Sequence, residues 1–214
     1  MGFGARLCAH CSVELATVRC GHCFTLCIAG SKVCGQCGST LGLEASLGPT
    51  SLRCVRCEQA ELSGVRVGEH DVAECLRCGG LFVEHEVMER ITRAAEDRGG
   101  IRLRPLAPAE STAERAAYVR CPSCASLMLR KNFGERSGVI VDVCGKHGVW
   151  LDRDELALIV EFVDAGGLAR LRERDRTAAS IQRLSKDASP RPDPETLPSY
   201  DMVGSFLWSL FRDR

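Results

Sequence analysis

Cysteine spacing carries the chemistry of this sequence. Fourteen cysteines occur in 214 residues, and twelve of them stand in six Cys-x-x-Cys pairs: 8/11, 20/23, 34/37, 54/57, 75/78 and 121/124. Cys144 pairs at the same spacing with His147, which leaves Cys27 as the one cysteine outside a pair. Two residues between ligands let one tight knuckle present both to the same ion, and two such knuckles complete a tetrahedral zinc site. A redox dithiol accounts for one such motif in a protein and does not account for six. The expected cofactor is therefore Zn2+, three to four ions.

The sharpest unit runs from Cys121 to Glu155. Cys121 and Cys124 are followed nineteen residues later by Cys144 and His147. Leu127, Leu129, Val139, Val141 and Val143 give a strand signal on either side of Gly134 and Gly138, so the segment reads as a hairpin that brings the ligand pairs together. After the last ligand, Asp152 with Glu155 three residues on forms a capping box, which places the helix N-cap at Asp152. Leu156, Ile159, Val160 and Val163 give that helix one apolar face.

A second unit repeats this plan. Cys54 and Cys57 precede Cys75 and Cys78 by seventeen residues, and a helical stretch follows. Phe82 aligns with Trp150, Val83 with Leu151, Glu84 with Asp152 and Ile91 with Ile159. Cys54 to Cys121 and Gly99 to Gly166 are each 67 residues apart, which marks an internal duplication. Val87 stands where the later copy has Glu155, so the earlier helix has the weaker cap. Each copy closes its helix with Gly-Gly, suited to a left-handed C-cap.

The amino-terminal residues 1–43 hold Cys8, Cys11, Cys20, His22, Cys23, Cys27, Cys34 and Cys37. They read as a double-zinc-ribbon-like module whose pairing stays open. In one pairing Cys8, Cys11, Cys20 and Cys23 share an ion, and Cys27, Cys34 and Cys37 form part of a second site. In the other, Cys20, Cys23, Cys34 and Cys37 make one ribbon. Cys20-Gly21-His22 followed by Cys27 and the 34/37 pair also resembles a RING finger. That resemblance fails at the middle ligands, because a RING needs two residues between the histidine and the next cysteine. His10 reads as a knuckle residue.

The remaining segments connect or extend these units. The expected organisation is the module at 1–43, a linker over 44–51, ribbon plus helix at 52–100 and again at 118–167, and an Arg-rich helix at 168–187. A Pro-rich disordered linker at 188–198 and an amphipathic tail helix at 199–214 follow. The fold class is a small metal-stabilised α+β protein of tandem zinc ribbons, the last two each followed by a capped α-helix. A hairpin of about thirty residues buries too little apolar surface to offset its chain entropy. Structural zinc, at about 10–16 kcal/mol in finger peptides, closes that gap.

The segment CPSCASLML…VDVCGKHGVWLDRDELALI resembles the transcription-factor-IIB-type zinc-finger family of small bacterial proteins. Cys121, Cys124, Cys144, Trp150, Leu151, Asp152, Glu155 and Leu156 match its pattern, and His147 replaces the usual fourth cysteine. Residues 54–91 resemble it less closely. The resemblance implies a zinc-ribbon fold and says little about activity.

Function classes narrow by exclusion. Sites with four protein ligands keep no open position for water, and the sequence holds no Gly-rich phosphate loop and no nucleophile with a recognisable base, so no enzyme activity and no small-molecule substrate are expected. Trp150 and Asp152 read as packing and capping residues, and His70 and His85 as surface residues. Lys plus Arg and Asp plus Glu each number 28. Fourteen thiolates holding four divalent ions would add six net negative charges, which disfavours duplex binding by phosphate neutralisation. Only residues 120–146, with Arg120, Arg130, Lys131, Arg136 and Lys146, show a local positive excess. No secretory signal, myristoylation site or run of eighteen apolar residues is present, which with the paired cysteines points to the cytoplasm and to no transmembrane segment. The reading is a multi-zinc, non-enzymatic adaptor with a protein partner, docking in part through Phe206, Leu207 and Leu210. The alternatives are a nucleic-acid-binding, transcription-associated regulator and a zinc-thiol redox sensor starting at Cys27.

Overall fold

The computed structural model describes residues 16–42, 45–57, 60–98 and 117–187, with side chains through 183. Cys8, Cys11, His10, the segment at 101–116, Gly99, the Pro-rich linker at 188–198 and the tail helix at 199–214 lie outside the described residues.

The chain forms a small α+β structure with two antiparallel sheets and three helices among the described residues. A short hairpin, β1 (Thr17–Arg19) and β2 (Leu26–Ile28), makes the first sheet. The second has seven strands: β3 (Ala45–Arg53), β4 (Glu61–Val67), β5 (His70–Glu74), β6 (Leu81–Glu84), β7 (Leu129–Asn132), β8 (Ile140–Val143) and β9 (Gly148–Leu151). Their order across the sheet is β3-β4-β5-β6-β9-β8-β7. Helices α1 (His85–Arg98) and α2 (Glu155–Asp164) follow β6 and β9 directly, and α3 (Gly167–Asp187) follows α2.

The central pairing explains the order. β6 meets β9 antiparallel with Phe82 opposite Trp150, Leu81 opposite Leu151 and Val83 opposite Val149. Phe82 and Trp150 are equivalent positions of the duplicated sequence, and the flanking pairs exchange under that equivalence. A pseudo-twofold axis therefore passes between Phe82 and Trp150. One sheet holds both copies, with equivalent residues 67 to 69 positions apart.

Strand alternation sorts the side chains onto two faces. Leu81, Val83, Val149 and Leu151 join Met88 and Ile91 of α1 and Leu156, Ile159 and Val160 of α2 in the larger core. Phe82 and Trp150 point the other way, into a cluster with Leu62, Met128 and the sulfurs of Cys54, Cys75, Cys121 and Cys144. Gly80 is required there: a Cβ on it would lie 2.4 Å from the Trp150 ring.

The amino-terminal module seats on this body through an arginine and a close backbone approach. The buried Arg19 guanidinium donates to Glu74 Oε1 at 3.2 Å, to the Phe24 carbonyl at 3.1 Å and to the Arg153 carbonyl at 3.2 Å. Gly21 abuts Gly68 in the β4–β5 turn, where a Cβ on Gly21 would come within 2.9 Å of the Gly68 Cα.

Two expectations are corrected. Residues 44–51 are not a linker, since Ala45–Arg53 forms the edge strand β3. Gly48 and Pro49 suggest a turn, but an edge strand tolerates proline, and register shifts beside both residues absorb the irregularity. Asp152 is not the N-cap of α2: that position is Asp154, whose carbonyl accepts the Leu158 N–H at 3.1 Å. The Glu155 carboxylate still accepts the Asp152 N–H at 2.7 Å, while the Asp152 carboxylate is engaged by Trp150 and Arg56. At the other end of α2, Gly166 adopts φ +78, as a left-handed cap requires.

Candidate metal centres

Three groups of four ligand atoms form among the described residues: Cys20, Cys23, Cys34 and Cys37; Cys54, Cys57, Cys75 and Cys78; and Cys121, Cys124, Cys144 and His147. Within each group the atoms lie within 4.8 Å of one another. In the second and third, one knuckle precedes and the other follows an antiparallel pair, β4–β5 or β7–β8, so the sheet fixes the distance between the halves. In the first, the backbone bonds from Phe24 N–H to the Cys20 carbonyl and from Gly38 N–H to the Cys34 carbonyl, both 2.8 Å, close the two turns. The same turn recurs where Gly79 N–H meets the Cys75 carbonyl and Ala125 N–H meets the Cys121 carbonyl, again at 2.8 Å.

The spacing of donor atoms is that of ligands around one ion. Sγ–Sγ distances are 3.6 Å for Cys20–Cys37, Cys23–Cys34 and Cys54–Cys78, and 3.8 Å for Cys124–Cys144. His147 Nδ1 lies 3.6 Å from Cys144 Sγ and 3.8 Å from Cys121 Sγ. A tetrahedron with zinc–sulfur bonds of about 2.3 Å places its sulfurs about 3.8 Å apart. A disulfide would need about 2.05 Å, and all the described cysteines are free.

Electrostatics around the sulfurs favours a thiolate at one member of each group and a thiol at its neighbours. Backbone N–H groups point at them: His22 N to Cys20 Sγ at 3.4 Å, Gln36 N to Cys34 at 3.4 Å, Cys57 N to Cys54 at 3.2 Å and Gly80 N to Cys78 at 3.4 Å. Hydrogen bonding from Cys23 draws Cys20 down to about 4, and the same bond pushes Cys23 up. Hydrogen bonding from Cys54 draws Cys78 down to about 5, while the Cys54 thiol is raised. Ser126 lowers Cys124 to about 6, and burial raises Cys121 to about 11. Four sulfurs crowded together cannot all ionise alone, whereas a bound divalent cation neutralises their mutual repulsion and holds all of them as thiolates.

The amino-terminal ligands group differently from the sequential pairing. Cys20 and Cys23 close with Cys34 and Cys37, the single-ribbon arrangement: the first pair lies in the turn that joins β1 to β2 and the second in the turn closed by the Val33–Thr40 bridge. Two expected ligands stand outside that group. Cys27 lies on β2 with Sγ 3.7 Å from Cys34 Sγ, and burial raises its thiol to about 12. His22 sits in the knuckle turn, its Nδ1 buried without a hydrogen-bond partner among the described residues. His85, read as a surface residue, is bonded through Nε2 to the Cys144 carbonyl at 2.7 Å and so braces the third centre from the other copy. Arg153 does the same in reverse, its Nε donating to the Cys78 carbonyl at 3.2 Å. Neither brace carries a signal in the spacing pattern; only their equivalence across the duplication, 85 to 153, could have suggested them.

These Cys-rich groups are consistent with zinc ribbons in general. No helix of the described residues is long and apolar enough to cross a membrane. Comparisons of the chain with protein-family models, with curated proteins and with solved structures gave no match.

Proposed function

We propose that this chain is a multi-zinc, non-enzymatic adaptor built of tandem zinc ribbons of the transcription-factor-IIB type, holding a protein partner through its surface. The observation that carries this reading is the makeup of the three groups, each of four protein ligands. A site of that kind has no position left for water or substrate, so its metal serves shape rather than reaction. The chemistry of the protein then resides in what its surface binds.

Charge supports a protein partner over a nucleic acid. Eleven thiolates holding three divalent ions leave these centres with five net negative charges on a chain of zero formal charge. Three arginines are engaged with acids: Arg172 pairs with Glu96 at 2.7 Å, Arg56 with Asp142 at 3.1 Å, and Arg130 lies 3.9 Å from Asp142. The decisive experiment measures salt dependence on the zinc-loaded full chain. An adaptor retains its captured protein when salt rises from about 0.05 to about 0.5 M. Affinity for duplex DNA that falls by orders of magnitude over that range, with no protein retained, would replace the adaptor with the regulator.

A further inference from the structure

The two sides of the pseudo-twofold axis are filled differently. On one side Arg56, from the Cys54–Cys57 knuckle, reaches across to the other copy. Its Nε and Nη2 donate to the two Asp152 oxygens at 3.2 and 3.3 Å, Nη2 also to Asp142 Oδ2 at 3.1 Å, and Nη1 to the Ala117 carbonyl at 3.2 Å. Trp150 Nε1 donates to the same Asp152 at 3.1 Å. A guanidinium thus plugs the junction between the copies, beside an aromatic ring and against a carboxylate.

The duplication maps each of these residues onto the opposite side. Arg56 becomes Ser123, Asp152 becomes Glu84, Trp150 becomes Phe82, Ala117 becomes Thr50 and Asp142 becomes Ala73. Ser123, Glu84, Phe82 and Thr50 all line one cleft of about 590 Å³, with His85 and His147 beside them. One of the two carboxylates and the ring are retained, and the long cation is replaced by a short hydroxyl. Glu84 is exposed and has no ion pair among the described residues. Glu86 also lines the cleft, and so does one cation, Lys146. The equivalent of Lys146 is Arg77; both are exposed, and Arg77 does not prevent Arg56 from occupying its side.

We propose that this cleft receives the guanidinium of an arginine presented by a protein partner, in the place that Arg56 takes on the opposite side. The Glu84 carboxylate accepts the charged fork, Phe82 supplies the aromatic neighbour, and the Thr50 segment supplies the backbone acceptor. Arginine is selected over lysine because the two oxygens of one carboxylate, with a backbone acceptor beside them, suit a planar fork better than a point charge. This assignment rests on the adaptor reading for the source of the arginine, and it names the chemistry that the partner must present.

The test is an NMR titration of the zinc-loaded full chain with acetyl-Gly-Arg-Gly-amide and with its citrulline isostere, which keeps the shape and loses the charge. Saturable shifts at the amides of Thr50, Glu84 and Ser123 are expected with the arginine peptide, and about tenfold weaker binding with citrulline. Glu84→Gln should weaken the arginine peptide by about the same factor. Ser123→Arg should abolish its binding and raise Tm, because the introduced side chain takes the vacant place. Equal response to citrulline, binding that persists unchanged in Glu84→Gln, or no saturable shifts because a side chain of this chain already sits there, each overturns the assignment. If Ser123→Arg lowers the zinc count, Glu84→Gln alone decides. Protein capture that survives high salt and is unchanged by Glu84→Gln leaves the adaptor standing and removes the cleft. Discriminating arginine binding without any captured protein does the reverse.

Discussion

The two halves of the seven-stranded sheet share a backbone plan and differ in how they close. The earlier copy has four cysteines at its centre, and the later one has His147 at the fourth position. Phe82 and Trp150 face each other across the axis, but only Trp150 carries a donor, which Asp152 accepts. Arg56 fills one inter-copy junction, and Ser123 leaves the other open. The helix ends differ as well, since Asp164 is buried while its counterpart Asp97 is exposed. Symmetric backbone pairing holds the copies together, and the side chains are free to specialise each face.

The largest effect should come from removing a ligand. Cys144→Ser or Cys75→Ser leaves three donors, and native mass spectrometry should count one ion fewer in each. Because metal binding is folding free energy in such sites, about 10–16 kcal/mol for finger peptides, either variant should lose cooperative unfolding in its own copy. The comparison sharpens with His147→Cys, which should keep its ion and add one negative charge. Loss of metal from His147→Cys would show that the two centres are not interchangeable.

A smaller effect separates the two junctions. Arg56→Ala leaves the Asp142 and Asp152 carboxylates with side chains only 5% and 9% exposed and strips them of their shared cation. That should cost about 3 kcal/mol in denaturant unfolding of the zinc-loaded chain. Ser123→Ala, the equivalent change on the open side, should stay within about 0.5 kcal/mol. Equal costs would mean that the junctions bear load alike and that the asymmetry is superficial.

The smallest effect concerns the helix ends. Burial pushes the Asp164 carboxyl above its ordinary value, offset only in part by Arg98 at 3.8 Å and by His22, and neither oxygen has a hydrogen-bond partner among the described residues. The unfolded chain therefore ionises this group first. Stability from this source is lost as pH rises from the ordinary carboxylate range to the raised value, a negative slope. Asp164→Asn should remove that slope, while Asp97→Asn should leave it in place. Unfolding midpoints of zinc-loaded protein at stepped pH, taken as differences from the unsubstituted chain, check both.

Much of the chemistry was legible because the grouping of candidate metal ligands is local. A Cys-x-x-Cys knuckle is a property of four consecutive residues, so the groups at 54–78 and 121–147 follow from spacing alone. The group at 20–37 did not, since Cys27 and His22 are as close in sequence as Cys34 and Cys37, and only the approach of the β1–β2 turn to the turn at 34–37 decides which sulfurs converge. The strand β9 was hidden for a related reason. Gly148–Leu151 lies between a ligand and a helix cap, and its four residues are all buried, so no alternation marks it as a strand. The polar edge strand β3 was hidden by Gly48 and Pro49, which mark turns elsewhere.

By itself the sequence determined the duplication, the ligand pairs of both copies, and the helices that close them, because each depends on residues near one another along the chain. The tertiary structure alone decided that the copies share one sheet about an axis between Phe82 and Trp150. It also decided that Asp152 answers Arg56 across 96 positions rather than capping its own helix, and that one junction is plugged while its twin is open. Those outcomes depend on which strand edges meet, and edge pairing is set by the packing of faces that distant segments contribute.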